Sequence, residues 1–325
     1  MKRLRLALIL LTLMACNSNK TKAVGDAPVQ KSPEKVEFNA DSAYKHVGAQ
    51  VGFGPRVPGT KGHSDCGQYI IDRLNAFGAD TIIEYRTTAE NFKGEQLQLN
   101  NIMARFNPDA KRRVLLLAHW DTRPWADNDP DPDNHTKPVP GANDGASGTG
   151  VLLELARIFG RERPQIGVDL LFVDGEDSGA ESQDMSWCLG TQKWISQMPY
   201  KASDKPVYGI LLDMVGGRDA RFTREYVSEQ FAPSVNDRVW AMANASGYGD
   251  RFVNRQAGAV VDDHMFINRA GIPCIDIIEC ANESTGSFHP SWHTVNDDMD
   301  NIDSATLKAV GQTVANVIYN EQPQH

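Results

Sequence analysis

The sequence predicts an α/β protein, a three-layer αβα sandwich whose central sheet is mixed but mostly parallel, with helices on both faces. Three observations lead there. Short apolar runs such as Leu115-Leu116-Leu117-Ala118 and Leu170-Leu171-Phe172-Val173 read as strands buried on both sides. Segments with apolar residues at helical spacing alternate with these runs along the chain. Polar clusters directly follow three of the runs, and open α/β sheets place ligands outside the carboxyl ends of their strands.

The chain opens on Met1-Lys2-Arg3-Leu4-Arg5 and an apolar stretch from Leu6 to Ala15. That stretch is too short to span a bilayer and reads as a signal peptide over residues 1–15. Ala15 directly before Cys16 resembles a bacterial lipoprotein signal, which makes Cys16 the expected lipidation site. The expectation is therefore an exported protein on the periplasmic side, anchored by lipid to a bacterial membrane, the outer membrane foremost. Residues 16–36, rich in Lys, Ser, Asn and Pro, are expected to be a flexible tether, and residues 37–325 a single domain.

Within that domain, helical spacing predicts helices from Asp41 to Val51 and from Gly62 to Phe77, separated by the turn GFGPRVPGTKG. Strands are predicted at Thr81 to Arg86, Leu97 to Phe106 and Arg113 to His119. A Pro- and Asp-rich loop spans Asp121 to Gly141, and a helix begins near Gly145 with Val151, Leu152, Leu155 and Ile158 on one face. A strand at Gly167 to Val173, a helix around Trp187 to Gln197, a strand at Val207 to Met214 and a helix at Ser234 to Ala245 come next. His264 to Arg269 is read as a short helix and Pro273 to Glu279 as a strand. The closing helix runs from Asp303 to Tyr319 with Asp303 near its N-cap.

At 325 residues, 41% hydrophobic and 23% charged, the chain has ample material for a large core. A net charge of −9 argues, weakly, against nucleic acid and anionic membrane surfaces as partners, leaving the lipid anchor as the expected membrane contact. Cys66, Cys188, Cys274 and Cys280 lie in no zinc-ribbon or CxxC spacing. In an exported protein both disulfides and buried thiols are open to them.

The strand ends carry the chemistry. His119-Trp120-Asp121, Asp174-Gly175-Glu176-Asp177 and Asp213 each close an apolar run; Asn143-Asp144-Gly145, Asp262-Asp263-His264 and Trp292-His293 add further ligand types. Histidine nitrogen with carboxylate oxygen suits zinc. Gly145-Ala146-Ser147-Gly148-Thr149-Gly150 lacks both GxGxxG spacing and a Walker lysine, so it is not read as a nucleotide loop. The acids of Asp127 to Asp133 lack the EF-hand glycine and closing glutamate and are read as a solvated loop over the pocket. Trp194 and Trp240 are expected in the core, and His289 in a loop.

In order, HWD, GANDGASG, DGED, LLDMVGG, DDHMFINRAGIP and WHT resemble the zinc aminopeptidase and glutaminyl cyclase superfamily, from about His46 to the C-terminal helix. The resemblance implies a zinc aminopeptidase-like fold for the domain and zinc-dependent catalysis. In the two-zinc aminopeptidase branch, His119 and Asp213 would hold one ion, Asp144 would bridge, Asp177 and His293 would hold the second, and Glu176 would be the base. In the cyclase branch a single zinc is held by Asp144, Asp177 and His293, and the positions of His119 and Asp213 do not bind metal; His119 and Asp121 are expected to support the site or, as the alternative, to serve a second metal.

Asp262 where aminopeptidases usually have Ser, Trp292 before the last His, and Trp120 after the first resemble the cyclases. The implied activity converts the N-terminal glutamine of peptides or proteins to pyroglutamate and releases ammonia. Glu176 is the implied proton shuttle, Asp213 and Asp262 accept hydrogen bonds from the reacting nitrogens, and Trp187, Trp292 and Trp120 line the substrate pocket. The alternative is a two-zinc aminopeptidase. Animal cyclases carry Glu where this chain has Asp177, one methylene shorter, so the backbone there is expected to approach the metal more closely.

Overall fold

The computed structural model describes residues 36–202 and 204–323. The expected signal segment, Cys16 and the tether up to residue 35 lie outside the described residues. Val36, at the tether's end, is buried, and its carbonyl accepts from Gln312.

Helices α1 (Ala40–Gly52) and α2 (Lys61–Ala76) lead into strands β1 (Thr81–Glu90), β2 (Gln96–Phe106) and β3 (Arg113–His119). Then follow α3 (Ala146–Arg161), β4 (Gly167–Val173), α4 (Leu189–Ile195) and β5 (Gly209–Leu212). The remainder is β6 (Phe222–Arg224), α5 (Tyr226–Phe231), α6 (Pro233–Ala245), β7 (Phe252–Gln256), α7 (Asp263–Arg269), β8 (Cys274–Ile277) and α8 (Ser304–Asn320).

Six strands form one sheet in the order β1-β2-β4-β3-β5-β8. β1, β2 and β4 run antiparallel to their neighbours in turn, whereas β4, β3, β5 and β8 are mutually parallel. The fold is thus the mixed, mostly parallel α/β sandwich that the apolar runs predict. β6 and β7 make a separate small pair that the sequence reading did not anticipate.

The period of two along each strand divides the core. Val114, Leu116 and Ala118 of β3, with Val168, Leu170 and Phe172 of β4, pack with α1, α2, α3, α6 and α8 on one face. Leu115, Leu117, Leu171 and Val173 pack on the other with Trp194 of α4 and Ile267 of α7. Asp169 also points to this second face and is fully buried. Arg113 Nε at 2.8 Å, Arg105 Nε at 3.1 Å and the Tyr200 hydroxyl at 2.8 Å donate to it, so the buried charge is paired and hydrogen-bonded.

The strand ends with ligand-type residues sit side by side because β3 lies between β4 and β5. Asp303 caps α8 as expected, accepting from Ala305 N. Cys66, Cys188, Cys274 and Cys280 are all free thiols, the first three buried.

Candidate metal centre and active site

His119 is the last residue of β3 and is fully buried. Its Nε2 lies 3.0 Å from Asp144 Oδ1 and 3.1 Å from Asp213 Oδ1, and its Nδ1 lies 3.5 Å from Asp121. Burial alone would lower this imidazole's pKa, but the carboxylates of Asp121, Asp144 and Asp213 beside it hold it well above the ordinary histidine value. Asp144 precedes α3 in a loop whose Asn143 and Asp144 N–H groups donate to Asp297 at 2.9 and 3.0 Å. A Cβ on Gly145 would meet the His119 ring and main-chain oxygen at 2.6 Å, so only glycine lets this loop close on the strand.

The second histidine completes the cluster. His293 Nε2 lies 3.1 Å from Asp177 Oδ1 and 3.7 Å from Asp144 Oδ2. Ligand atoms of Asp144, Asp177 and His293 lie within 4.8 Å of one another, as do those of His119, Asp144 and Asp213. Asp144 is common to both triplets. Asp177 Oδ2 is buried with no hydrogen-bond donor, an orphaned acceptor of the kind that a bound cation satisfies. One imidazole and two carboxylates, buried and convergent, fit zinc.

Glu176 and Asp177 take different partners. Asp121 receives the N–H groups of both, at 3.2 and 3.3 Å, which fixes the turn after β4. The Asp177 side chain then meets Asp144 and His293, while Glu176 Oε1 accepts from Cys188 Sγ at 3.4 Å. Burial pushes the Glu176 pKa well above the ordinary glutamate range, and the charges of Asp262, Asp177 and Asp263 add to that against the pull of His119. Asp262, at the N-cap of α7, is likewise driven well up by burial and by Asp213 and Asp263. Crowded carboxylates of this kind mark functional sites. Met214, Cys188 and His293 all hold φ near +50°, a strained conformation for non-glycine residues that clusters where a site over-determines the backbone.

Around His293 the aromatic residues separate. Trp292 stacks on the imidazole at 3.7 Å between centroids, and Trp187 lies parallel to it at 6.1 Å. Trp120 does not join them. Its indole stacks on His63 at 4.3 Å, abuts Gly67 and is 1% exposed within the main core. It directly follows His119 where the chain leaves β3, its N–H donating to the Val173 carbonyl at 3.0 Å, and its side chain takes the opposite face. This corrects the expectation that Trp120 walls the pocket. Asp174 points the same way, accepting from His63 Nε2 at 2.9 Å and Asn100 N at 2.6 Å, and so supports the loop.

Three contributors were not singled out from the sequence. Arg123 lies 3.4 Å from Asp177 Oδ1, pairs with Asp127 and stacks over Trp187. Asp297 holds the Asp144 loop, and Cys188 touches Glu176. Asp297, four residues beyond His293, is the one with a sequence signal, since it follows the last motif closely. The acidic loop serves the same region: Asp129 Oδ2 accepts from Val295 N at 3.0 Å and Asn128 N donates to the His293 carbonyl at 3.1 Å. Trp194 and Trp240 are core residues and His289 lies in a loop, bonded to Ser291.

Known proteins are similar to this chain in sequence and fold. The chain is 48% identical to the Bacteroides thetaiotaomicron glutaminyl cyclase bound to N-acetylhistamine, covering 89% of this chain and 100% of that one with a TM-score of 0.86. It is also 48% identical to a structure described as a leucine aminopeptidase precursor from B. thetaiotaomicron VPI-5482, covering 89% and 99% at a TM-score of 0.84. Against the glutaminyl-peptide cyclotransferase of Bos taurus it is 25% identical over 287 residues, 78% of this chain and 74% of that one. Residues 101–318, from the middle of β2 into α8, match Peptidase family M28. With its strand-end histidines and carboxylates and this match over most of its length, the chain belongs to peptidase family M28.

Proposed function

We propose that the protein is a zinc-dependent glutaminyl-peptide cyclotransferase, converting the N-terminal glutamine of peptides or proteins to pyroglutamate with release of ammonia. The observation that carries this reading is the second pair of carboxylates beside the metal cluster. Ligand-type atoms of Glu176 and Asp262 lie within 4.8 Å of each other, next to Asp177 but separate from its contacts. Hydrolysis needs one base for water. Cyclisation moves a proton from one nitrogen to another and gains from two acceptors. The glutaminyl cyclases among its relatives support the same choice.

Asp144, Asp177 and His293 would hold one zinc per chain, which supplies Lewis acidity to the substrate γ-carbonyl when bound. Glu176 takes a proton from the substrate α-amine as that nitrogen bonds to the γ-carbonyl carbon, and delivers it to the amide nitrogen that leaves as ammonia. Burial and the neighbouring carboxylates raise its pKa well above the ordinary glutamate range, which favours a carboxyl group that takes up a proton. Asp213 and Asp262 accept hydrogen bonds from the reacting nitrogens, and Trp292 and Trp187 wall the pocket. Because nucleophile and electrophile belong to one residue, holding the side chain folded contributes up to roughly 7–11 kcal/mol of the barrier reduction.

Incubation with a glutamine-initiated peptide is expected to give ammonia and a peptide lighter by one ammonia. Free amino acid without pyroglutamate would instead favour the aminopeptidase reading, whose support is the compact His119, Asp144, Asp213 triplet. Two zincs per chain in the purified protein would point the same way. Export and lipidation at Cys16 belong to the proposal, and incorporation of a labelled fatty acid into the wild type but not Cys16→Ser tests them.

A further inference from the structure

We propose that Glu176, Cys188 and Asp262 form a second cation site, distinct from the zinc ligands, that takes a thiophilic divalent ion and blocks the reaction when filled. One thiol sulfur and one oxygen from each carboxylate lie within 4.8 Å of one another, and all three residues are buried. Cys188 Sγ and Glu176 Oε1 are 3.4 Å apart. A tetrahedral ion with metal–sulfur and metal–oxygen bonds of about 2.3 and 2.0 Å needs those two atoms roughly 3.5 Å apart, so the pair is already spaced for it.

Asp262 is the independent observation. Its Oδ1 accepts from Asp263 N at 2.5 Å, while Oδ2 is buried with no hydrogen-bond partner, and the Asp276 carboxyl lies against the same residue. The geometry is rigid. Cys188 N donates to the Glu176 carbonyl at 3.0 Å and Leu189 N to that of Gly175 at 2.9 Å, which pins the start of α4 to the turn carrying Glu176. A thiolate with two carboxylates favours zinc or cadmium over calcium or magnesium, which prefer all-oxygen sites. On binding, the metal–sulfur and metal–oxygen bonds form as the Cys188 S–H proton, together with any proton held by Glu176 or Asp262, passes to solvent, with no change of oxidation state. Glu176 is 8% exposed and Cys188 fully enclosed, so the ion enters past Glu176.

The test titrates cadmium into zinc-loaded protein freed of excess metal, following the ultraviolet cadmium–thiolate band and the zinc retained. The expected result is one cadmium per chain with the band present and zinc kept. Cys188→Ser is expected to lose the band and weaken cadmium binding by about tenfold or more, and Asp262→Asn to keep the band with weaker binding. An absent band, equal binding by Cys188→Ser, or cadmium taken up only as zinc leaves would overturn the site. Should Cys188→Ser fail to fold, the Asp262→Asn comparison decides. Blocking rests on the proposed reaction: cadmium should compete with the glutamine-initiated peptide. If wild-type protein releases no ammonia, that reading fails while the binding result stands.

Discussion

Glu176 and Asp177 are adjacent in the chain yet meet different neighbours, and this division gives two opposed expectations. Glu176→Gln removes the proposed proton acceptor and leaves Asp144, Asp177 and His293 in place. It should keep its zinc and lose turnover by about 10²–10⁴-fold, read by metal analysis beside an ammonia assay. Asp177→Asn should lose zinc; if zinc follows Glu176 instead, the two roles are exchanged. At this scale the sequence shows residue types but not their partners. HWD and DGED were readable because ligand chemistry restricts which residues fit. Trp120 departs from the expectation because an aromatic beside a ligand-type residue is equally suited to the pocket and to the opposite core, and only the direction of β3 decides. Arg123 and Cys188 carry no local pattern; they matter through contacts made across 54 and 12 positions of chain.

Among the elements, α3 shows most directly how packing delivers the site. A Cβ on Gly148 would lie 2.0 Å from the Leu212 carbonyl oxygen of β5, so the first turn of α3 sits directly on the strand that leads to Asp213. Gly148→Ala should force the two apart and destabilise the fold by about 1–3 kcal/mol or more. The check is a lower urea midpoint at unchanged m-value. GASGTG invites a nucleotide-loop reading, but here Gly145 and Gly148 let the chain close on strands β3 and β5 and Gly150 lets α3 pack against α1. Long periodic elements such as α2, α3 and α8 were legible because many residues repeat the same signal. β6, β7 and α5 were not, because segments of three to six residues hold no full period and form only where the surrounding fold supplies partners.

For the molecule as a whole, metal and protons should both set stability. Removing zinc with a chelator should lower the melting temperature, and adding zinc back should restore it, because an ion bound only by the folded state stabilises that state by mass action. The acid side depends on Glu225, a buried carboxylate. Burial by itself would raise its pKa, but hydrogen bonds from His264 and from the Ser228 and Val227 N–H groups bring it down to about 2. A folded-state pKa below the unfolded one contributes stability that is fully present above the unfolded value and is lost as pH falls toward 2. From the usual glutamate value of about 4.3, the contribution is roughly 3 kcal/mol. Glu225→Gln keeps an acceptor but cannot ionise, so its midpoint should lie below wild type at neutral pH and converge on it as the medium is acidified.

The sequence by itself determined the two-sided sheet and the ordered set of ligand-type residues at its strand ends, because burial and coordination chemistry act on residue type and local period. The tertiary structure alone decided which carboxylate faces which histidine, that Trp120 turns into the core, and that a thiol stands against Glu176. Those outcomes depend on strand order and on which face each residue takes. No local pattern encodes them, since the energies that fix them arise only when distant segments close on one another.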